Sequence, residues 1–243
     1  MITPRLRMFA GPNGSGKSTL NGSIDKKLLG IYINADEIEK SICENQYLDM
    51  SKYNIQTTTD EIKTFFTSHG LVQKANLAEE ITLLEFEYQK ISFKNIEINS
   101  YYASLCADFI RHKLLELKVS FTFETVMSSP DKVLFLKKAQ ELGYRTYLYF
   151  IATQDPYINI LRVENRVKMG GHPVPKEKIK SRYYRSLELL HQAVKNSSRA
   201  YIFDNSNEDK VWLAEIVDGR EVTLQTEDVP KWFDTYILKK SEG

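Results

Sequence analysis

A short apolar run, Leu6-Arg7-Met8-Phe9-Ala10, leads into Gly11-Pro12-Asn13-Gly14-Ser15-Gly16-Lys17-Ser18. The spacing is G-x-x-x-x-G-K-[ST], and it limits the fold sharply, because such a loop works only between a buried strand and the start of a helix. The glycines let the backbone curl so that successive N–H groups point at one anion. Lys17 reaches the β- and γ-phosphates of a nucleotide, and the Ser18 hydroxyl can ligate Mg²⁺. Ser18-Thr19-Leu20 reads as the helix start, and a helix N-terminus there would add its dipole to the same site. Residues 11–19 are therefore the expected nucleotide-binding loop, with Thr19 the last of its polar residues.

Apolar residues make up 42% of the 243-residue chain and charged residues 27%, enough for a globular core. A net charge of +1 gives no bulk attraction to nucleic acid or to a membrane surface. Cys43 and Cys106 stand at no metal or redox spacing, so reduced thiols in a cytoplasmic protein are expected. Met1 leads straight toward the first strand, which predicts no signal peptide. No apolar run approaches the ~18 residues of a membrane span.

Apolar runs near residues 6, 31, 121, 147 and 202 alternate with helical patterns. That alternation predicts an α/β P-loop fold: a mostly parallel sheet of about five strands flanked by helices. Helices are expected over 37–44, 101–117, from Pro130 to Gly143, over 156–169 and over 176–195. Residues 45–100 read as a helical insertion after the second strand, with helical periodicity near 60–68 and 74–90. Asp218-Gly219 between two apolar runs signals a C-terminal β-hairpin, read as an appendage, so that 207–240 holds a hairpin and a helix. Residues 1–243 are read as one domain.

Ligands in parallel sheets bind outside the carboxyl ends of the strands. The residues ending the strands here are the phosphate loop, Asp36, Glu124, Thr153 and Asp204. No guanine-specifying N-K-x-D, transporter-type signature or strand ending in Asp-Glu is present, which argues against switches, transporter ATPases and motors. A carboxylate at Asp36 could instead accept a proton from a hydroxyl that attacks the γ-phosphoryl group. Asp36 could equally cap the helix after it. A carboxylate at a buried strand end such as Glu124 needs a partner. Arg162 and Arg166, then Arg182 and Arg185, flank the break Gly170-Gly171-His172-Pro173-Val174-Pro175. Two basic helices joined by a glycine hinge, spanning 160–195, read as a lid over ATP. The alternative is a solvated basic face.

With these residues in place, the chain resembles the zeta-toxin family of P-loop kinases, in its compact bacterial branch. The resemblance rests on residues 11–19, on Ile33-Asn34-Ala35-Asp36-Glu37-Ile38 and on Phe121-Thr122-Phe123-Glu124-Thr125. It continues through Arg166-Val167, the 170–175 break, Arg182-Tyr183 with Arg185-Ser186-Leu187, and Phe203-Asp204-Asn205-Ser206. It implies ATP and Mg²⁺ as cofactors and phosphorylation of a nucleotide-sugar hydroxyl, UDP-N-acetylglucosamine in the best-known members. It implies Asp36 as catalytic base beside Lys17 and Arg166, and substrate contacts from Asp36, Asp108, Glu124 and Thr125. Arg162, Arg166 and Arg182 would hold ATP phosphates. Arg162 rivals Arg166, and Arg182 or Arg185 replaces a lid arginine whose place is taken by His172. An antitoxin protein is the implied partner.

The stretch from Asp36 to Asp108 is longer than in the toxins that define the family. Glu124-Thr125 also lacks the residue that separates the family's Glu and Thr. Asp108 sits among apolar neighbours on its helix, and a solvated face is its plain alternative. Three functions compete: a small-molecule kinase, a nucleotide-gated binding protein using 45–100 as a partner surface, and a kinase or ligase acting on nucleic-acid ends. The third ranks last, because +1 offers no surplus for a phosphate backbone.

Overall fold

The computed structural model describes residues 3–22 and 24–241. In chain order the first elements are β1 (Arg5–Ala10), α1 (Lys17–Asn21), α2 (Lys26–Leu29), β2 (Ile31–Ile33), α3 (Ala35–Asn45) and β3 (Tyr47–Asp49). Next come α4 (Thr59–Ser68), α5 (Gly70–Ala75), α6 (Ala78–Ile81), β4 (Glu85–Glu87), β5 (Lys90–Ser92) and α7 (Ser100–Glu116). The remainder is β6 (Phe121–Thr125), α8 (Asp131–Glu141), β7 (Arg145–Ala152), α9 (Pro156–Lys168), α10 (Lys176–Lys195), β8 (Arg199–Asp204), β9 (Val211–Val217), β10 (Glu221–Leu224), α11 (Lys231–Phe233) and α12 (Lys239–Ser241). Met1, at which the leader expectation is read, lies outside the described residues. Among the described residues no helix is long and apolar enough to cross a membrane.

The chain divides into two compact units, Met1–Gly30 with Ser120–Gly243, and Ile31–Val119. In the first unit the strands run β10-β9-β8-β7-β1-β6. β1 pairs in parallel with β6 and β7, and β7 in parallel with β8. Helix α8 links β6 to β7, and α9 with α10 links β7 to β8, the crossovers that parallel neighbours require. Leu6, Met8, Phe9, Phe123, Leu148, Phe150 and Ile202 are wholly buried. That is the near-continuous apolar run of strands covered on both faces.

All five expected strands form, as β1, β2, β6, β7 and β8. The Asp218-Gly219 turn also forms, with φ of 47° and 67° at its two central residues, the left-handed pair a tight hairpin demands. The hairpin is not an appendage, however. β9 pairs antiparallel along β8 from Arg199 to Asp204 and buries Leu213, Ala214 and Ile216, so it extends the sheet. A second difference concerns the helix after the phosphate loop. α1 spans only five residues.

In the second unit α3 packs against α7, which is why this unit starts at Ile31 rather than at residue 45. α7 is buried around most of its circumference, through Tyr102, Leu105, Cys106, Phe109, Ile110 and Leu114. Leu117, the residue that caps its end, is exposed. The helical reading of 74–90 is corrected. α5 stops at Ala75, α6 covers Ala78–Ile81, and β4 and β5 join β3 in an antiparallel sheet ordered β3-β5-β4. Glu85-Phe86-Glu87 and Lys90-Ile91-Ser92 alternate polar and apolar residues, and Phe86 pairs with Ile91. That two-residue period overrides the looser helical spacing.

Phe150 lies at the centre of the sheet, wholly buried, with its ring against Trp232. Phe150→Ala is expected to cost about 3–5 kcal/mol. Urea unfolding should show this as a lower midpoint at unchanged slope.

Candidate active site

The loop Gly11–Ser18 leaves the end of β1 and curls under steric constraint. Gly11 has φ of 145°, and a Cβ there would lie 2.0 Å from the Ile151 carbonyl oxygen. At Gly16, with φ of 96°, a Cβ would lie 2.4 Å from Nδ2 of Asn205. No side chain fits at either position.

The loop's carbonyls are tied back by protein donors. Lys17 Nζ donates to the Gly11 and Pro12 oxygens at 2.8 and 3.0 Å, and the Ser15 N–H also donates to Pro12 at 3.2 Å. Asn159 Nδ2 donates to the Asn13 oxygen at 2.7 Å, and Asn205 Nδ2 to the Ser15 oxygen at 2.8 Å. The Gly16 oxygen accepts from the N–H and the hydroxyl of Thr19, at 3.0 and 2.7 Å. With its acceptors consumed in this way, the concave side of the loop is rich in donors, the character of an anion cradle. Ser15 Oγ is buried there with no hydrogen-bond partner, and Ser18 is exposed at the mouth of the loop.

The two lid helices reach this loop unequally. Arg182 of α10 donates from Nη1 to Asn13 Oδ1 at 3.4 Å, whereas Arg185 turns onto its own helix, Nε to the Ser181 oxygen at 3.4 Å. Of that pair, Arg182 is the one at the phosphate loop. Arg162 of α9 donates to the carbonyls of Asn205 and Asn207 at 2.7 and 3.2 Å, after β8. Arg166 folds onto the break that follows α9, Nη2 to the His172 oxygen at 3.1 Å, and its buried Nε has no hydrogen-bond partner.

That break begins as a hydrogen-bonded turn at the end of α9. The N–H groups of Gly170 and Gly171 bond to Val167 and Arg166. Ile160, Val163 and Ile179 form a small core between the helices, with Val167 and Val174 packed on it. Apolar contact therefore holds the helical hairpin together.

The other strand ends are bonded into neighbouring structure to different degrees. Asp204 accepts from the Ser206 N–H at 2.9 Å and from Trp232 Nε1 at 2.7 Å, which occupies both carboxylate oxygens. Thr153 donates its hydroxyl to Asn159 Oδ1, and its carbonyl accepts the Tyr183 hydroxyl at 2.6 Å. Burial pushes the Tyr183 phenol up, keeping it a donor. Glu124 and Thr125 end β6 in register with Phe9 and Ala10, beside the start of the phosphate loop. Glu124 is half-buried rather than fully so, and Thr125 Oγ1 accepts the Met127 N–H at 3.1 Å.

Asp36 and Asp108 belong to the second unit. The cap of α3 is Asn34, whose Oδ1 accepts the Asp36 N–H at 2.9 Å. Asp36 is thus not the cap. It is an exposed carboxylate in the first turn. Asp108 departs from the solvated-face reading: only 6% of it is exposed. Its Oδ1 accepts from Arg111 and its Oδ2 from His69 Nε2 at 3.1 Å. The Leu71 N–H donates to His69 Nδ1 at 3.1 Å, so the ring proton sits on Nε2, facing Asp108.

Sequence reasoning missed Asn159 and Asn205. The signals were there: a polar residue beside Ile160 and Val163 on the core side of α9, and an amide directly after a strand end.

The zeta toxin family profile matches residues 84–216, more than half of the chain. The chain belongs to the zeta toxin family. The match includes Asp108, Glu124, Thr125, Arg162, Arg166 and Arg182. The phosphate loop and Asp36 lie before it and stand on their own geometry. The native AvrRxo1-ORF1:AvrRxo1-ORF2 complex is similar in fold, with a TM-score of 0.56 at 15% identity over 97% of this chain and 64% of that chain. The same complex with ATP has a TM-score of 0.52 at 13% identity over 92% of this chain and 61% of that chain. An uncharacterized protein of Haemophilus influenzae is 31% identical over 72 residues, 30% of this chain and 51% of that protein. The chain thus spans about half of that relative and less than two thirds of the AvrRxo1 chains.

The two zeta toxin aspartates should separate on stability. Asp108→Ala removes the carboxylate opposite a buried guanidinium and is expected to cost about 3–5 kcal/mol. Asp36→Ala, at an exposed site, should stay within about 0.5 kcal/mol of wild type. Chemical denaturation of both variants reads the difference.

Proposed function

We propose that the chain is a kinase that transfers the γ-phosphoryl group of ATP to a hydroxyl of a sugar nucleotide, UDP-N-acetylglucosamine or a close relative. The observation that carries this reading is the phosphate loop. Its carbonyls at 11, 12, 13, 15 and 16 are bonded to protein donors, and the Lys17 ammonium lies across the Gly11 and Pro12 oxygens. Such a loop is a cradle for a polyphosphate.

In this reading residues 11–19 bind the β- and γ-phosphates, and Arg182 with Arg166 or Arg162 neutralises charge on the transferred group. Asp36 takes the proton of the acceptor hydroxyl as its oxygen bonds to the γ-phosphorus and the bond to the ADP oxygen breaks. Asp108, Glu124 and Thr125 are the substrate-side residues. Asp108 acts there through its bonds to His69 and Arg111 rather than as a solvated carboxylate.

Mg²⁺ fits one protein ligand, the exposed Ser18 hydroxyl, with phosphate oxygens completing its shell. Among the described residues no cluster of three or more His, Cys, Asp or Glu could hold it instead. When bound, the ion neutralises charge on the phosphates. The AvrRxo1 structures are of a two-protein complex, one of them with ATP. By analogy they fit a nucleotide ligand and a protein partner, for which the family resemblance implies an antitoxin. The free thiols Cys43 and Cys106 suit a cytoplasmic setting.

The test is incubation with labelled ATP and a panel of UDP-sugars and nucleosides. Asp36→Ala is expected to lower transfer about 10²-fold or more, with ATP affinity within about twofold of wild type. Lys17→Ala should lose both. ATP binding by the wild-type protein with no transfer to any acceptor would overturn the kinase reading.

A further inference from the structure

A trans peptide unit is planar, with its C=O and the next residue's N–H pointing in opposite directions. Whatever holds a loop carbonyl therefore also aims the following N–H. Two of the carbonyls in the phosphate loop are held by side chains that the phosphate-loop motif does not include. Asn159 Nδ2 bonds to the Asn13 oxygen at 2.7 Å, which turns the Gly14 N–H away from α9. Asn205 Nδ2 bonds to the Ser15 oxygen at 2.8 Å, which turns the Gly16 N–H away from β8.

Both amides are themselves fixed. Asn159 is wholly buried, and its Oδ1 accepts the Thr153 hydroxyl, so its NH₂ has only the loop to face. Thr153 is held in turn by Tyr183 of α10. Asn205 is anchored through its backbone. Its N–H donates to the Ala152 oxygen at 2.8 Å, and its carbonyl accepts from Arg162 at 2.7 Å. The approach is close: a Cβ at Gly14 would lie 2.5 Å from the backbone carbonyl oxygen of Asn159, and one at Gly16 2.4 Å from Asn205 Nδ2.

We propose that Asn159 and Asn205 are positioning residues for phosphate binding, two amide clamps that orient the Gly14 and Gly16 peptide units toward the anion, with Arg162 as the support of the Asn205 clamp. The proposal rests on reading the loop as a polyphosphate site. It predicts that the donor hydrogens of the amides matter, not their volume.

Asn205→Asp keeps size and shape but replaces the donor by an acceptor facing the Ser15 oxygen, so a packing role survives it and a clamp does not. Asn159→Ala and Asn205→Ala complete the set. Two readouts are taken on each folded variant. Hydrogen exchange without nucleotide is expected to quicken about tenfold or more in peptides covering 11–18, while β1 and β7 keep their protection. Calorimetry with inorganic tripolyphosphate and with ATP is expected to show affinity lowered about tenfold. Wild-type exchange and affinity within about twofold in Asn205→Asp would overturn the clamp. If the wild-type protein binds neither polyphosphate, the kinase reading fails, and loop exchange alone still decides the clamp.

Discussion

Parallel pairing of β1 with β6 and β7, and of β7 with β8, sends four strand ends out of one edge of the first unit's sheet. Each end leaves the ladder with backbone donors and acceptors to satisfy. Here they satisfy one another. The Asn205 N–H bonds to Ala152, Asn159 bonds to Asn13, and Ser206 bonds both to Asp204 and to the Gln154 N–H. The phosphate loop therefore sits in a ring of neighbouring loops, and its shape depends on residues more than a hundred positions away in sequence.

The lid helices show apolar contact deciding where polar contact is conspicuous. Lys176 and Glu164 face each other at 2.7 Å across α9 and α10, but Lys176 is largely exposed and Glu164 partly so, and such surface pairs contribute little. Ile160, Val163 and Ile179 lie out of solvent between the same helices and carry the association. The arginines are thereby presented on a braced hairpin. One of them, Arg182, reaches the loop, and another, Arg162, props the segment that clamps it.

Two aspartates of the second unit illustrate how the surroundings set the role of one residue type. Asp36 follows a capping asparagine and stands exposed in the first turn of α3. Asp108 sits inside, its oxygens divided between Arg111 and His69, with the His69 ring held by the Leu71 N–H. The first is open to solvent, and the second is bonded to its neighbours.

The sequence by itself determined the phosphate loop, the alternation of strands and helices and the tight turn at Asp218-Gly219. All of these follow from local stereochemistry and from the periodicity of apolar residues, which a linear chain displays. Residues 74–90 misled because two short strands and two short helices share one stretch, and period-two alternation over three residues is too brief to outweigh helical spacing. Only the tertiary structure decided the rest. It chose Arg182 over Arg185, buried Asp108, made the glycine break a turn and brought Asn159 and Asn205 onto the loop. Each of those outcomes depends on which side chains meet across a distance of many residues, and a hydrogen bond between Asn205 and Ser15 leaves no mark on the local pattern of either.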